Sequence, residues 1–370
     1  MNKVKIGVIG SGFQADIHCA SCRILGEHGE VVAVASPTPG RARALADRHG
    51  ISGAYRDYRE MLAEPDIEMV TIAAPNHLHA GMVRHAAEAG KHVICEKPLC
   101  LTLDEADQMI DICRTKGVLL LYGEELLFTP KYLKAKAMAD EGAFGRIHLI
   151  TQCERHPGPH AAWFRDLHQA GGGVFMDMGC HGVAFCYWFL GRSPVATVYC
   201  QMNAQEPAGE DALEDNSLCI LEFENGAVGL VENSWTRAGG MDDRIEVYGS
   251  RGLTMGDLHM GNALPTYSET GYGYAGEKAP GTKGWSYAVY DELYNYGMPQ
   301  ELAHFARCVR GVDQPITTGE DGRAVLEVLL AGYASAGEGR KVALPFRPKN
   351  VRHPAELWLA GRLKGEDAGL

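Results

Sequence analysis

The chain opens on an apolar, β-branched run, Val4–Ile9, that leads straight into Gly10-Ser11-Gly12-Phe13-Gln14-Ala15. A short run of this kind reads as a buried strand. The G-x-G-x-x-A behind it is the pattern that turns a strand into a helix where a dinucleotide is bound. Glycine is needed because backbone amides must approach a pyrophosphate closely, and a Cβ would stand in the way. Ala15 takes the third position, where a small residue lets the helix sit close to the strand. The helix start offers N–H groups and a positive dipole end to phosphates. Gly10, Gly12, Phe13 and Gln14 are therefore the first candidate cofactor contacts. The competing reading is a plain turn, since 45 of the 370 residues are glycine. The place of the pattern, at the chain start and after a strand, favours the nucleotide site.

Beyond this turn, short apolar strands alternate with amphipathic helices. Strands are expected at Val31–Ala35, Met69–Ala73, His92–Cys95 and Val118–Tyr122, and helices at Arg41–His49, Leu78–Ala89 and Leu103–Lys116, the last capped by Thr102. Such alternation implies a parallel sheet covered on both faces, with ligands outside the carboxyl ends of its strands. After Ala35, where an acid usually grips the ribose of NAD, stand Ser36, Thr38 and Arg41. Hydroxyls and a guanidinium can accept a 2′-phosphate, or Arg41 is simply solvated. The stretch leaves NAD and NADP both open. After Ala73 come Ala74, Pro75, Asn76 and His79. After Cys95 comes Glu96-Lys97-Pro98, which turns Lys97 toward the ligand crevice. All of these are candidate cofactor contacts, the competing reading of Lys97 being a solvated loop lysine.

The second half follows a different pattern. Strand-like segments at Ile147–Glu154, Val195–Asn203, Ser217–Phe223, Gly226–Trp235 and Arg244–Tyr248 lack intervening helices beyond the first, which implies antiparallel pairing, and Asn225-Gly226 is a hairpin signal. The expected fold is thus an α/β Rossmann domain plus an α+β C-terminal domain with a mostly antiparallel open sheet. The expected boundaries are 1–123, 124–345 and a loose or neighbour-wrapping tail, 346–370. Gly171–Gly173 leads into a helical stretch, Val174–Leu190, in which Asp177 and His181 stand four apart and share a face. Buried ionisable groups need partners and gather at functional sites. A capping Asp with a hydrogen-bonded core His is the alternative. His156, His160 and Trp163 lie in a loop where they could bind and stack on a sugar, or form only a Pro/Gly-rich turn. Glu124 and Glu125, at the end of the last parallel strand, either contact substrate or are solvated. Residues 267–285, with Tyr287, Tyr290, Tyr294 and Tyr296 behind them, read as a loop without elements that covers a site, meets another subunit or lies on the surface. Helices are expected at Pro299–Arg310 and Glu320–Ser335. The His and Glu spacings match no metal-ligand pattern, and no metal is expected.

A formal charge of −12 and a pI near 5.7 argue against nucleic acid or an anionic membrane as partner. Eleven cysteines scattered through apolar segments read as reduced, buried thiols. With Met1 leading into the first strand and no secretory signal in view, a cytoplasmic protein is expected.

The G-x-G-x-x-A start, Pro75–Ala80, Ala89–Val93, Glu96-Lys97-Pro98, the Gly171–His181 segment with its Asp-x-x-x-His, and Gly319–Arg323 together resemble the glucose–fructose oxidoreductase / inositol dehydrogenase (Gfo/Idh/MocA) family. The resemblance implies a nicotinamide cofactor, NAD or NADP, and a sugar or polyol substrate. It also implies association through the open sheet face into a dimer or tetramer, and a Lys-Pro bond that is often cis. Glu124-Glu125 departs from relatives that carry Asn and Arg nearby. Moving hydride from an alcohol carbon requires the hydroxyl proton to leave. His181, with an ordinary pKa of about 6.5, suits the base. Lys97 can hold the alkoxide and relay the proton, and Asp177 can bind a neighbouring hydroxyl or orient the other two. The catalytic set is Lys97, Asp177 and His181, and the substrate contacts are these with Glu125, His156, His160 and Trp163. Oxidation of a secondary hydroxyl of a sugar, polyol or glycoside, with C3 among the candidates, is the leading expectation. Redox-neutral glycoside cleavage through a transient keto-sugar is the alternative. A non-enzymatic cofactor-binding regulator is the third reading, and it is disfavoured by the presence of all three residues.

Overall fold

The structure, a computed structural model, describes the whole chain except residue 1 and residues 206–211, 260, 262, 274–278, 280, 290 and 368–370. Tyr290 and part of the 267–285 segment therefore lie outside the described residues. Packing divides the chain into two units: Met1–Thr129 with Gly297–Ala324, and Pro130–Tyr296 with Val325–Leu370. The first break falls six residues after the expected 123/124, and the chain returns to the first unit late. Among the described residues no helix is long and apolar enough to cross a membrane.

The first unit is built on a six-stranded parallel sheet: β1 (Val4–Ile9), β2 (Gly29–Ala35), β3 (Gly53–Tyr55), β4 (Met69–Ile72), β5 (His92–Glu96) and β6 (Leu120–Gly123), in the order β3-β2-β1-β4-β5-β6. The order reverses between β1 and β4, where a ligand crevice is expected at the carboxyl ends. Val4, Ile6, Val8, Met69, Val70, Ile72, Val93 and Ile94 are all buried, as strands covered on both faces require. Arg41–His49 and Leu103–Lys116 form the helices expected, and Thr102 accepts from Glu105 N–H while the Glu105 carboxylate accepts from Thr102 N–H. The short β3 and the helix Tyr58–Leu62, started by Asp57, had no legible period. The late helix Met298–Val309 packs on this unit, and Arg310 beyond it clamps Glu68 with two hydrogen bonds of 2.5 and 2.9 Å.

The second unit carries a seven-stranded mixed sheet: β7 (Ile147–Arg155), β8 (Val195–Asn203), β9 (Asn216–Phe223), β10 (Val228–Ser234), β11 (Asp242–Gly249) and β12 (Leu253–Asp257). With β13 (Ala263–Ser268) and β14 (Gly284–Val289) forming a separate hairpin, β15 (Val342–Ala343) closes the larger sheet. Its order is β12-β11-β7-β10-β9-β8-β15; β7 and β10 run parallel and the other pairs antiparallel. Asn225-Gly226 makes the β9–β10 hairpin, with Gly226 at φ 82° and Asn225 accepting from Ala227 N–H. The helix Cys180–Phe189 covers one face, Gly182 lying against Val231 and Gln152.

Three expectations need correction. The 267–285 segment is not without elements, because its two ends pair as β13 and β14 with Tyr267 opposite Trp285; their exposed aromatics had masked the strand pattern. The tail is not loose: residues Glu356–Asp367 form a helix, Ala355 and Trp358 are buried, and Ala355 N–H donates to Gly171 O. Finally, the Val174–Leu190 stretch is not one uniform helix. Phe175–Gly179 forms a wider π turn before the α-helix begins at Cys180, and such turns concentrate at functional sites.

Candidate active site

The first unit holds the nucleotide turn. Gly10, at the end of β1, has φ 135°, and a Cβ there would stand 2.1 Å from Ala73 O, so only glycine fits. A Cβ on Gly12 would meet nothing within 4 Å. Gly12 caps the 13-residue helix Phe13–Leu25 without a side-chain hydrogen bond, so the open end can take an anion. Ala15 is buried and Phe13 exposed. Ser36 is buried at the end of β2 with its hydroxyl 2.8 Å from that of Ser11, while Thr38 and Arg41 are exposed. These features fit a dinucleotide laid across the carboxyl ends of β1 and β2.

The loops after β4 and β5 are tied by His79. Its ring is fully buried, with one nitrogen 2.9 Å from Ala74 O and the other 3.0 Å from Pro98 O. Burial pushes its pKa down, against the carbonyls that face both ring nitrogens and raise it. Asn76 is buried beside it. Lys97 follows on a cis bond to Pro98 and is half-buried.

Glu96 does not stand in a solvated loop. It is buried, with His18 Nε2 at 2.7 Å and Gln14 Nε2 donating at 2.9 Å, and His18 Nδ1 lies 2.5 Å from Thr71 Oγ1. Burial acts to raise the Glu96 carboxyl, but His18, then Lys97 and Gln14, outweigh it and hold it below the usual carboxylate range. Gln14 and His18, one turn apart, thus bind the phosphate-turn helix to the Glu96-Lys97 loop. The solvated reading of Glu124 and Glu125 is wrong, since both are buried. Glu301, from the late helix, accepts from Glu124 N–H at 2.7 Å. Burial pushes Glu124 up to about 8, with Lys97 opposing and Glu96 reinforcing the shift. Burial and the charges of Glu96 and Glu125 raise Glu301 well above the usual range. Glu301 lies 177 positions from Glu124, and nothing local announces it.

The second unit holds Asp177 and His181, both buried. Trp235, at the end of β10, donates its indole N–H to Asp177 Oδ2 at 3.2 Å, and Asp177 N–H donates to Gly173 O at 3.1 Å. Trp163 stacks on Phe164 at 3.9 Å, Phe164 meets Trp235 edge-on, and Arg165 lies over the Trp235 ring. His156 is buried, His160 exposed, and their rings are 6.0 Å apart. Trp163 is thus committed on one face to Phe164.

Strand register adds residues that sequence reading missed. Ser217 on β9 pairs with Asn233 on β10, Asn233 with Glu154 on β7, and Glu154 with Asp243 on β11. All four are buried; Ser217 donates to Asn233 Oδ1, and Tyr132 O–H donates to Asp243 Oδ1 at 3.0 Å. Gln152, two residues before Glu154, lies against Gly182 of the covering helix, so the polar row occupies that covered face. A buried row of carboxylates, amide and hydroxyl suits a ligand with many hydroxyls. The polar alternation Gln152-x-Glu154-x-His156 was its one local sign.

Residues 4–124 match the model of an oxidoreductase family with an NAD-binding Rossmann fold, and residues 132–254 match the Gfo/Idh/MocA C-terminal domain. The chain is 30% identical over 351 residues to the scyllo-inositol 2-dehydrogenase (NAD(+)) of Bacillus subtilis, which spans 94% of this chain and 98% of that protein. It is 29% identical over 344 residues to the myo-inositol 2-dehydrogenase of Thermotoga maritima, covering 92% and 98%. The solved structure of GenD2 from gentamicin A biosynthesis in complex with NAD superposes with a TM-score of 0.87 at 29% identity, over 94% of this chain and 97% of that one. The fold and its dinucleotide turn define a nicotinamide-dependent oxidoreductase. The chain belongs to the Gfo/Idh/MocA family, as its motifs implied.

Proposed function

We propose that the protein oxidises a secondary hydroxyl of a cyclitol or sugar, or reduces the corresponding ketone, with NAD or NADP. The observation that carries this reading is the buried row Ser217–Asn233–Glu154–Asp243 on the sheet face covered by the helix of His181. Four polar side chains in register on one covered face match a polyhydroxylated ring better than an apolar ligand. The inositol dehydrogenases among the relatives support the same substrate class. No observation favours glycoside cleavage, and that reading is not carried forward.

The cofactor, when bound, accepts or returns the hydride at the nicotinamide. The remaining steps fall to side chains. Lys97 steadies the oxygen that gains negative charge, His181 takes the hydroxyl proton, and Asp177 binds an adjacent hydroxyl. Glu96, fixed by His18 and Gln14, keeps the Lys97 loop in register with the phosphate turn. The reducing cytoplasm suits the ten described cysteines, all of which are free thiols. Leu149, Ile220 and Leu230 on the open face of the larger sheet are only half-buried and Leu218 is 42% exposed, which supports association there into a dimer or tetramer.

The test is a panel of inositols, monosaccharides and glycosides with NAD and, separately, NADP, followed by absorbance of the reduced cofactor. Steady accumulation with a cyclitol or sugar is expected, and comparing the two cofactors shows whether Ser36, Thr38 and Arg41 accept a 2′-phosphate. A protein that binds NAD but reduces none of it with any polyol, and oxidises no NADH with the keto forms, would refute the proposal.

A further inference from the structure

The turn that carries Asp177 and His181 begins on one buried carboxylate. Glu214, which is 0% exposed, accepts on Oε1 from Gly173 N–H at 2.9 Å, Phe175 N–H at 3.1 Å and Tyr333 O–H at 2.5 Å. Its main-chain carbonyl accepts from Val174 N–H at 2.9 Å. Three successive amides at the head of the turn are therefore held by a single residue, and these are among the donors that a helix start leaves open. A Cβ on Gly173 would stand 2.0 Å from Glu214 O, which explains a glycine there. The neighbouring Asp215 carbonyl accepts from Trp235 N–H at 2.8 Å, and Trp235 in turn holds the Asp177 carboxylate. Asp177 is thus fixed twice from residues 214 and 215, once through its own turn and once through Trp235.

We propose that Glu214 is a positioning residue for Asp177: it holds the 173–177 turn in its working geometry, and its hold depends on the charge of its carboxyl. The inference rests on the dehydrogenase reading of Asp177 and adds a residue to it. Oε1 takes all three donors, while Oε2 is buried with no partner among the described residues, which makes it the atom where a proton would sit. The groups facing the carboxyl are the Tyr333 hydroxyl from the helix Gly319–Glu338, the Cys200 thiol from β8 and the amides of the turn. Burial pushes Glu214 up to about 7, with Tyr333 and the amides opposing. The charged form therefore grips the turn with charge-assisted bonds at a cost in desolvation, and both forms are populated near neutrality.

Glu214→Gln is isosteric with the protonated acid and tests the idea in the full-length protein, free and with NAD. Amide hydrogen exchange should rise about tenfold or more in the 173–181 segment and stay unchanged in the 4–15 segment. Assayed with NAD and myo-inositol, D-glucose or D-xylose, the variant should lose turnover about tenfold with the KM for NAD retained. The part of the wild-type pH dependence near 7 should vanish, and Glu214→Asp should restore some of it. Unchanged exchange in the 173–181 segment would overturn the proposal, as would a wild-type turnover and pH profile. If Asp177→Ala itself keeps full turnover, the assignment of the site fails instead, so the two failures are distinguishable.

Discussion

Removing the indole N–H of Trp235 isolates a single contact of the site. In Trp235→Phe the ring still packs edge-on against Phe164 and beneath Arg165, but nothing replaces the donor 3.2 Å from Asp177 Oδ2. Trp235 is 3% exposed and Asp177 6%, so water does not readily fill the gap. A lost hydrogen bond to a charged, buried acceptor costs about 1.5–3 kcal/mol. A weaker cation–π contact with Arg165 adds about 0.5 kcal/mol. We therefore expect urea unfolding to show a loss of about 2–3.5 kcal/mol, with the slope unchanged. If Asp177 binds substrate in the transition state, kcat/KM should fall by roughly 10- to 100-fold, since each 1.4 kcal/mol is tenfold. The decisive assay is the cycle with Asp177→Ala. Residues in one hydrogen bond couple by about 0.5–3 kcal/mol, whereas independent sites add to within about 0.5 kcal/mol. Additive effects, in stability and in kcat/KM alike, would refute the claim that Trp235 acts through Asp177.

Two further outcomes follow from the geometry of the two units. Lys97→Ala and His181→Ala should each lower turnover by about 10²-fold or more, the usual worth of general acid–base groups, while calorimetry shows NAD affinity little changed; equal losses of both would remove them from the chemistry. Gly10→Ala should abolish NAD binding and lower the melting temperature, because its Cβ would stand 2.1 Å from Ala73 O at a φ of 135°; a variant with normal affinity and melting would show that the turn is not the phosphate site.

Features set by a few neighbouring residues were legible in the sequence. The strand–glycine–helix start, the Thr102 cap and the Asn225-Gly226 hairpin each depend on contacts within about five positions, and the structure reproduces them. Arg41–His49 and Val195–Asn203 even keep their expected ends. Short edges failed for the same reason, since Gly53–Tyr55 has three residues and no period to read. The tail was misread because Ala355 and Trp358 find their cover on chain that lies far away in sequence.

The polar interior was less legible, and the physical reason lies in register. A polar residue on a strand reads as solvent-facing until its partners are known, because the same alternation serves either face. Glu154 joins the buried polar row because β7 lies between β10 and β11, which brings Asn233 to one side of it and Asp243 to the other. Glu124 likewise reads as a solvated acid until Glu301 arrives from the late helix to bind its N–H. In each case composition counts charges, while burial decides which of them can ionise. Glu96 is held low because His18, Lys97 and Gln14 face it; burial raises Glu124 and Glu301, against Lys97 at Glu124 and with the charges of Glu96 and Glu125 adding to it at Glu301. The same sequence letter therefore holds its proton weakly at one strand end and more tightly at the next. That difference, which no local motif encodes, sets the electrostatic surroundings in which Lys97 has to work.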